Sequence, residues 1–300
     1  MNRRTAMKVA AAFTAAATIP PARGETPEDK PMIHVKTADD VALFSKDWGE
    51  GKPLVFVHSW AVTNDIWQYQ HAHFIDKGYR VVAFDRRGHG RSEQPGNGYD
   101  IDILADDLAA VLTAHQIRDA VLIGHSMGCN EIVRYLARHG SSRVSKIVLV
   151  APTTPCLLKR ADNPEGLDAA MFEAMRSEWR RDFPKWLADN ARPFFMPETP
   201  QAMVDWGIGM IAQTSLPVAI ACNKAIVDED FRPDCRDVNV PTLIVQGTAD
   251  ASAPLELTGK RTAALIPRAE LKIYENAPHG LMLTHVDRLN TDLETFIKSR

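Results

Sequence analysis

The stretch Ala120-Val121-Leu122-Ile123-Gly124-His125-Ser126-Met127-Gly128-Cys129 constrains this chain more than any other. Four apolar residues run into Gly124-x-Ser126-x-Gly128, and Asn130 to Ala137 follow with helical spacing. Strand, sharp turn and helix is the context in which a G-x-S-x-G pattern carries meaning. The turn strains the serine backbone, so its neighbours must lack side chains for strand and helix to pack closely. It also lifts the hydroxyl clear of the sheet edge. The helix starting there points its first N–H groups at any developing anion. A chance match is the competing reading, because Gly and Ser are common in turns; the flanking pattern argues against it.

The surrounding chain predicts an α/β layer protein from about residue 31. Ile33 to Lys36 and Val41 to Phe44 read as a β-hairpin. The runs 52–58 and 79–85 have too many consecutive apolar residues for half-exposed strands and read as buried ones. Trp67 to Lys77 and Asp100 to Ile117 suit helices, the second carrying Leu104, Leu108, Val111 and Leu112 on one face. Val144 to Val150, 240–247 and 270–274 continue the strands, with helices expected at 255–266 and 286–297. Strands alternating with helices imply a mostly parallel central sheet flanked by helices. Between Pro152 and about residue 235 the rhythm breaks into Met-, Trp- and Phe-rich helical stretches. This segment reads as a helical cap inserted between core segments 25–151 and 236–300.

The N-terminus is different in kind. Arg3, Arg4 and Lys8 precede an Ala-rich apolar run to Ile19, then Pro20-Pro21-Ala22-Arg23-Gly24, the layout of a cleaved export signal over residues 1–24. The paired arginines suggest the twin-arginine type, although Ala6 stands where such signals usually carry Phe. The run is about half of the roughly 20 residues a membrane span needs, so no stable membrane anchor is expected. A periplasmic or secreted bacterial protein follows. Signal removal takes Lys+Arg from 35 to 31 against 38 Asp+Glu, moving the net charge from −3 to −7. A mildly acidic chain lacks the footprint of a nucleic-acid binder. Cys129, Cys156, Cys222 and Cys235 are too few and scattered for a disulfide scaffold. Free thiols are expected, although an oxidising compartment would permit one bridge, for example Cys222–Cys235. Cys129 should pack as a small apolar residue behind the serine. A homo-oligomer is compatible with the sequence.

A serine hydroxyl needs a base to take its proton and a third group to orient that base. In an open parallel sheet these groups belong at the carboxyl ends of strands. Asp250 follows the 240–247 strand and His279 follows the 270–274 strand, so the order is Ser126, Asp250, His279. The other histidines fit less well. His71 and His73 sit two apart on a helix and face different ways. His89 lies in a Gly-rich loop, and His115, His139 and His285 read as helix-surface positions. Asp228, Asp230, Asp234 and Asp237 precede the penultimate strand and are expected in solvent. No metal-ligand spacing occurs, so neither a metal nor a cofactor is expected. The oxyanion of a tetrahedral intermediate requires donors: the Met127 amide and one from the loop His58-Ser59-Trp60-Ala61. His58 reads as a buried residue holding that loop.

Phe84-Asp85-Arg86-Arg87-Gly88-His89-Gly90-Arg91-Ser92, Gly124-His125-Ser126-Met127-Gly128, Gly247-Thr248-Ala249-Asp250 and Ala277-Pro278-His279-Gly280-Leu281, taken in this order, resemble the α/β-hydrolase superfamily. More narrowly, residues 31–300 are similar to the cofactor-free haloperoxidase, arylesterase and perhydrolase family. The resemblance implies an α/β-hydrolase fold, with Ser126, Asp250 and His279 as nucleophile, acid and base and the Trp60 and Met127 amides as the oxyanion hole. Two positions depart from the family's usual His-Gly-Trp/Phe-Pro loop: Ser59 replaces Gly and Ala61 replaces Pro. Ser59 predicts an altered loop, since Ser tolerates positive φ poorly. The expectation is a serine hydrolase acting on a small, apolar carboxylic ester. The alternatives are peracid formation with hydrogen peroxide as acyl acceptor and a non-enzymatic ligand-binding protein.

Overall fold

The computed structural model describes residues 33–299; the export signal expected over residues 1–24 lies outside them. Strands β1 (Ile33–Lys36), β2 (Ala42–Trp48), β3 (Pro53–Val57), β4 (Arg80–Phe84), β5 (Ala120–His125), β6 (Val144–Val150), β7 (Thr242–Gly247) and β8 (Ala269–Tyr274) form one sheet in the order β1-β2-β4-β3-β5-β6-β7-β8. The β1–β2 hairpin and the β2–β4 pair are antiparallel, and every pairing from β4 through β3 to β8 is parallel. Helices α1 (Gln68–Asp76), α2 (Ile101–Ala114), α3 (Met127–His139), α8 (Gly259–Leu265), α9 (Leu281–Thr284) and α10 (Val286–Lys298) surround it.

The central strands are apolar on both sides because both sides are covered. In β3, Val55 and Val57 join one core while Leu54 and Phe56 join the other; in β5, Leu122 faces the first and Val121 and Ile123 the second. The first core includes Leu104, Leu108, Val111 and Leu112 of α2, the stripe expected from helical spacing.

Between β6 and β7 the described residues form α4 (Ala169–Asn190), α5 (Gln201–Ile211), α6 (Leu216–Asp228) and α7 (Arg232–Asp237), with no strand of the sheet. Helix α4 breaks at Asp182 (φ −162, ψ 84), ahead of Pro184. Pro184 has no N–H to give to the preceding turn. The Asp182 carboxylate instead accepts the Lys185 N–H at 3.0 Å and restarts the helix. No single described helix is long and apolar enough to cross a membrane; α5 and α6 together are, but the chain bends 93° between them.

Element ends differ where turn chemistry intervenes. Helix α2 stops at Ala114, and Gln116 has φ 53. The helix expected from Leu255 begins only at Gly259, because the Pro254 carbonyl draws the Leu257 and Thr258 N–H groups into a tight turn.

Candidate active site

Ser126 stands between β5 and α3 with φ 53 and ψ −116, a conformation costly for any residue bearing a Cβ. Its N–H donates to Val150 O (2.9 Å), and its carbonyl accepts the Cys129 N–H (2.9 Å). The two flanking glycines serve close approach. A Cβ on Gly124 would lie 2.8 Å from Gly128 backbone, and one on Gly128 would lie 2.5 Å from Val57 O on β3. Helix α3 can therefore begin directly over the ends of β5 and β3. Cys129 is buried behind the serine and its thiol donates to Gly124 O at 3.3 Å.

His279 and Asp250 come together from the ends of β8 and β7. The His279 Nδ1–H donates to Asp250 Oδ2 at 2.8 Å, and both side chains are buried. Asp250 Oδ1 also accepts the N–H groups of Ser252 (3.0 Å) and Ala253 (2.8 Å). Gln246 Nε2 approaches Oδ2 at 3.3 Å. These contacts leave the carboxylate one orientation, and that orientation sets the imidazole.

The peptide between His279 and Gly280 is pinned on both polar atoms. His125 Nε2–H donates to His279 O at 3.0 Å, and Gly280 N–H donates to Phe194 O at 2.9 Å. The His125 and His279 rings lie 4.7 Å apart, so His279 packs against the residue preceding Ser126. Burial, and then the neighbouring His279, hold the His125 pKa well below the ordinary range and keep it neutral.

The loop after β3 is gripped from two sides. From the helical segment, Ala219 O accepts the Trp60 indole N–H (2.8 Å) and Thr214 Oγ1 donates to Ala61 O (3.0 Å). The Trp60 ring stacks on Trp179 of α4 at 4.9 Å, with Phe183 edge-on. From below, His58 Nδ1–H donates to Ser59 O (2.8 Å), and its Nε2 accepts the Arg86 N–H (2.8 Å). The positive φ of this loop falls on Ala61 (φ 56) and not on Ser59. The distortion expected from a serine in glycine's place therefore does not arise, since Ser59 is not asked to adopt it. Met127 opens α3, so its N–H has no carbonyl in the preceding turn of the helix.

The remaining expectations divide. All four cysteines are free and buried, so Cys222 and Cys235 are not bridged. His71 is buried, whereas His73 reaches Glu294 at 3.6 Å. His139 pairs with Asp106 at the surface. His115 is not a surface residue: it is buried against Ser45 Oγ (2.9 Å) and Asp47 (3.2 Å), because α2 ends against the hairpin. Asp234 is not solvated either; α7 packs on α3, and Arg134 holds it at 3.0 Å. Among the described residues no group of three or more His, Cys, Asp or Glu side chains is placed to hold a metal ion.

Arg86, Glu131 and Gln246 are buried beside this site, and the sequence reading assigned them nothing. Glu131 left a trace, since a carboxylate on an otherwise apolar helix face calls for a buried partner.

A sheet of this order, with a strained serine directly after its fifth strand and a histidine–aspartate pair at later strand ends, defines an α/β hydrolase. The chain belongs to that family: the sequence profile described as "alpha/beta hydrolase fold" matches residues 52–201. It is similar to the non-heme chloroperoxidase CPO-A1 of Kitasatospora aureofaciens, 38% identical over 87% of this chain and 98% of the relative. The bifunctional esterase/perhydrolase DCH of Acinetobacter calcoaceticus is 36% identical over 89% of this chain and all of the relative. Among solved structures, an esterase from Exiguobacterium antarcticum superposes with a TM-score of 0.85 at 29% identity, over 89% of this chain and 99% of that one. The protein is an enzyme of the α/β-hydrolase family, similar to haloperoxidases and esterases.

Proposed function

We propose that this chain is a serine esterase that cleaves small, apolar carboxylic esters through an acyl-enzyme. The observation that carries the reading is the 2.8 Å bond from His279 Nδ1–H to the buried Asp250 carboxylate at neighbouring strand ends, with the His279 ring 4.7 Å from that of His125, the residue before the strained Ser126. With Nδ1 protonated and donating, Nε2 is the nitrogen left to accept the Ser126 proton. The serine oxygen attacks the ester carbonyl, and the Met127 and Trp60 N–H groups take the charge on its oxygen. His279 returns the proton to the departing alcohol. Water, deprotonated by His279, then attacks the acyl carbonyl and releases the acid.

The apolar preference rests on the aromatic set Trp60, Trp179, Phe183 and Trp186, joined by stacked and edge contacts above the oxyanion loop. We read residues 152–235, which supply three of these four rings, as the cap that shapes the acyl site. The N-terminal pattern of residues 1–24 extends the proposal to an exported enzyme.

A second acceptor is supported by the similarity to a chloroperoxidase and an esterase/perhydrolase. Hydrogen peroxide attacking the same acyl-enzyme would give a peracid and regenerate the serine hydroxyl. A panel of p-nitrophenyl esters from acetate to octanoate, run with and without peroxide, decides between them. Hydrolysis of short esters with little peracid is the expected result. Peracid formation at rates rivalling hydrolysis would favour the second acceptor, and no turnover of any ester would sink both.

A further inference from the structure

The guanidinium of Arg86 is wholly buried and is spent on the backbone of the oxyanion loop. Its Nη2–H donates to His58 O at 2.6 Å and its Nη1–H to Ser59 O at 3.0 Å. Its Nε–H donates to Glu131 Oε1 at 2.6 Å, and Nη2 also contacts that oxygen. Both side chains of this ion pair are at most 1% exposed. Burial pushes the Glu131 carboxyl up to about 7 while Arg86 opposes the rise, so keeping this pair charged is costly, and packed apolar residues often stabilise as well or better. An expensive pair at this position therefore calls for a role beyond stability.

The geometry supplies one. Ser59 O and the Trp60 N–H belong to the same peptide unit. In a planar trans peptide the carbonyl and the N–H point in opposite directions. Whatever fixes Ser59 O also fixes where the Trp60 N–H points. Two donors converge on that oxygen, Arg86 Nη1–H and His58 Nδ1–H. His58 Nε2 accepts the Arg86 backbone N–H, so the proton must sit on Nδ1. A cationic donor on the carbonyl also polarises the peptide and strengthens its N–H as a donor. The other end of the ion pair, Glu131, is on α3, the helix whose first N–H is that of Met127.

We infer that Arg86 is a positioning residue for the oxyanion hole: anchored by Glu131 on the nucleophile helix, it aims and polarises the Ser59–Trp60 peptide so that the Trp60 and Met127 N–H groups converge on one oxygen. This rests on the serine-esterase reading above. Arg86 touches no substrate; it acts through the 59–60 peptide. Lysine in its place keeps the charge but lacks the fork that reaches Glu131 and two carbonyls at once.

The test compares wild type, Arg86→Lys and Glu131→Gln in three measurements: p-nitrophenyl butyrate hydrolysis, inhibition by an alkyl trifluoromethyl ketone that forms a tetrahedral adduct, and inhibition by butyrate. Loss of one oxyanion donor costs about 10²- to 10³-fold in kcat. Arg86→Lys should lose about 100-fold in kcat with KM within about threefold, and its ketone affinity should fall in parallel while butyrate affinity holds. Glu131→Gln keeps the acceptor but removes the countercharge. It should lose about tenfold in the same pattern, and it decides the matter alone if Arg86→Lys does not fold. A folded variant with kcat within threefold of wild type overturns the inference. So does equal weakening of ketone and butyrate, which is the mark of a merely structural role. Labelling by a fluorophosphonate probe separates the two levels. If Ser126→Ala is labelled as fast as wild type, the serine reading itself falls and the inference with it.

Discussion

His279 Nδ1 lies 2.8 Å from Asp250 Oδ2 although 29 positions separate them in the chain. The two strands that deliver them, β7 and β8, are parallel neighbours whose register pairs Gly247 with Tyr274. Chain continuing three residues past the first strand and five past the second thus emerges at one rim. Asp250 is braced further by the amides of Ser252 and Ala253, so the pair is assembled before any substrate arrives.

Asp250→Asn tests that relationship directly. The amide can offer its NH₂ to Nδ1 and turn the proton to the wrong nitrogen. The expected loss in kcat is about 10⁴-fold at neutral pH with the fold retained, read from ester hydrolysis alongside circular dichroism. Retention of a tenth or more of the activity would remove Asp250 from the assignment.

Ser126→Ala removes the hydroxyl proposed as nucleophile, and with it the proposed covalent step. Turnover should fall by about four or more orders of magnitude. The alanine keeps the left-handed backbone, so stability should change little; a loss below about tenfold in kcat would contradict the nucleophile assignment.

Gly128→Ala and Gly209→Ala form a matched pair of helix substitutions. The first places a methyl group 2.5 Å from Val57 O, against backbone that cannot step aside. It should cost about 1–3 kcal/mol, lower Tm by several degrees, and reduce kcat because the start of α3 is pushed off β3. The second meets nothing within 4 Å on α5 and should stabilise by about 0.5–1 kcal/mol. Differential scanning calorimetry reads both, and equal effects would refute the packing account of the serine turn.

Histidines buried in the neutral state should make this fold sensitive to acid. Burial, and then Lys46, push the pKa of His71 from 6.5 down to about 3. Burial, and then Arg86, do the same for His89. A histidine that titrates at 6.5 unfolded and near 3 folded binds more protons in the unfolded state throughout that interval. Its neutral form therefore supports the fold fully above pH 6.5, and that support is lost as pH falls toward 3. Between pH 7 and pH 5 the loss for His71 alone is about 2 kcal/mol. His71 packs edge-on against Phe56 at 4.9 Å, well suited to an apolar replacement. His71→Leu should flatten the fall of urea-unfolding free energy over that interval by about this amount. An unchanged slope would mean that His71 is not held neutral.

Much was fixed by local pattern. The apolar runs of β3 to β7 declared a sheet covered on both faces, because strands without alternation have no wet side. Gly124-x-Ser126-x-Gly128 set between a strand and a helix placed the strained serine, because only residues without side chains permit that approach. Chain order nominated Asp250 and His279, because in a parallel sheet the ends of successive strands share one rim.

Tertiary packing decided the rest. No spacing reveals that Arg86, on the loop after β4, reaches Glu131 on α3 and two carbonyls after β3, since these contacts span 45, 28 and 27 positions. Nor does it reveal that His115 and Asp234, polar residues near helix ends, are covered by neighbours. Periodicity records which face of an element is apolar. Which polar groups meet across elements depends on how the layers stack, and only the folded chain specifies that.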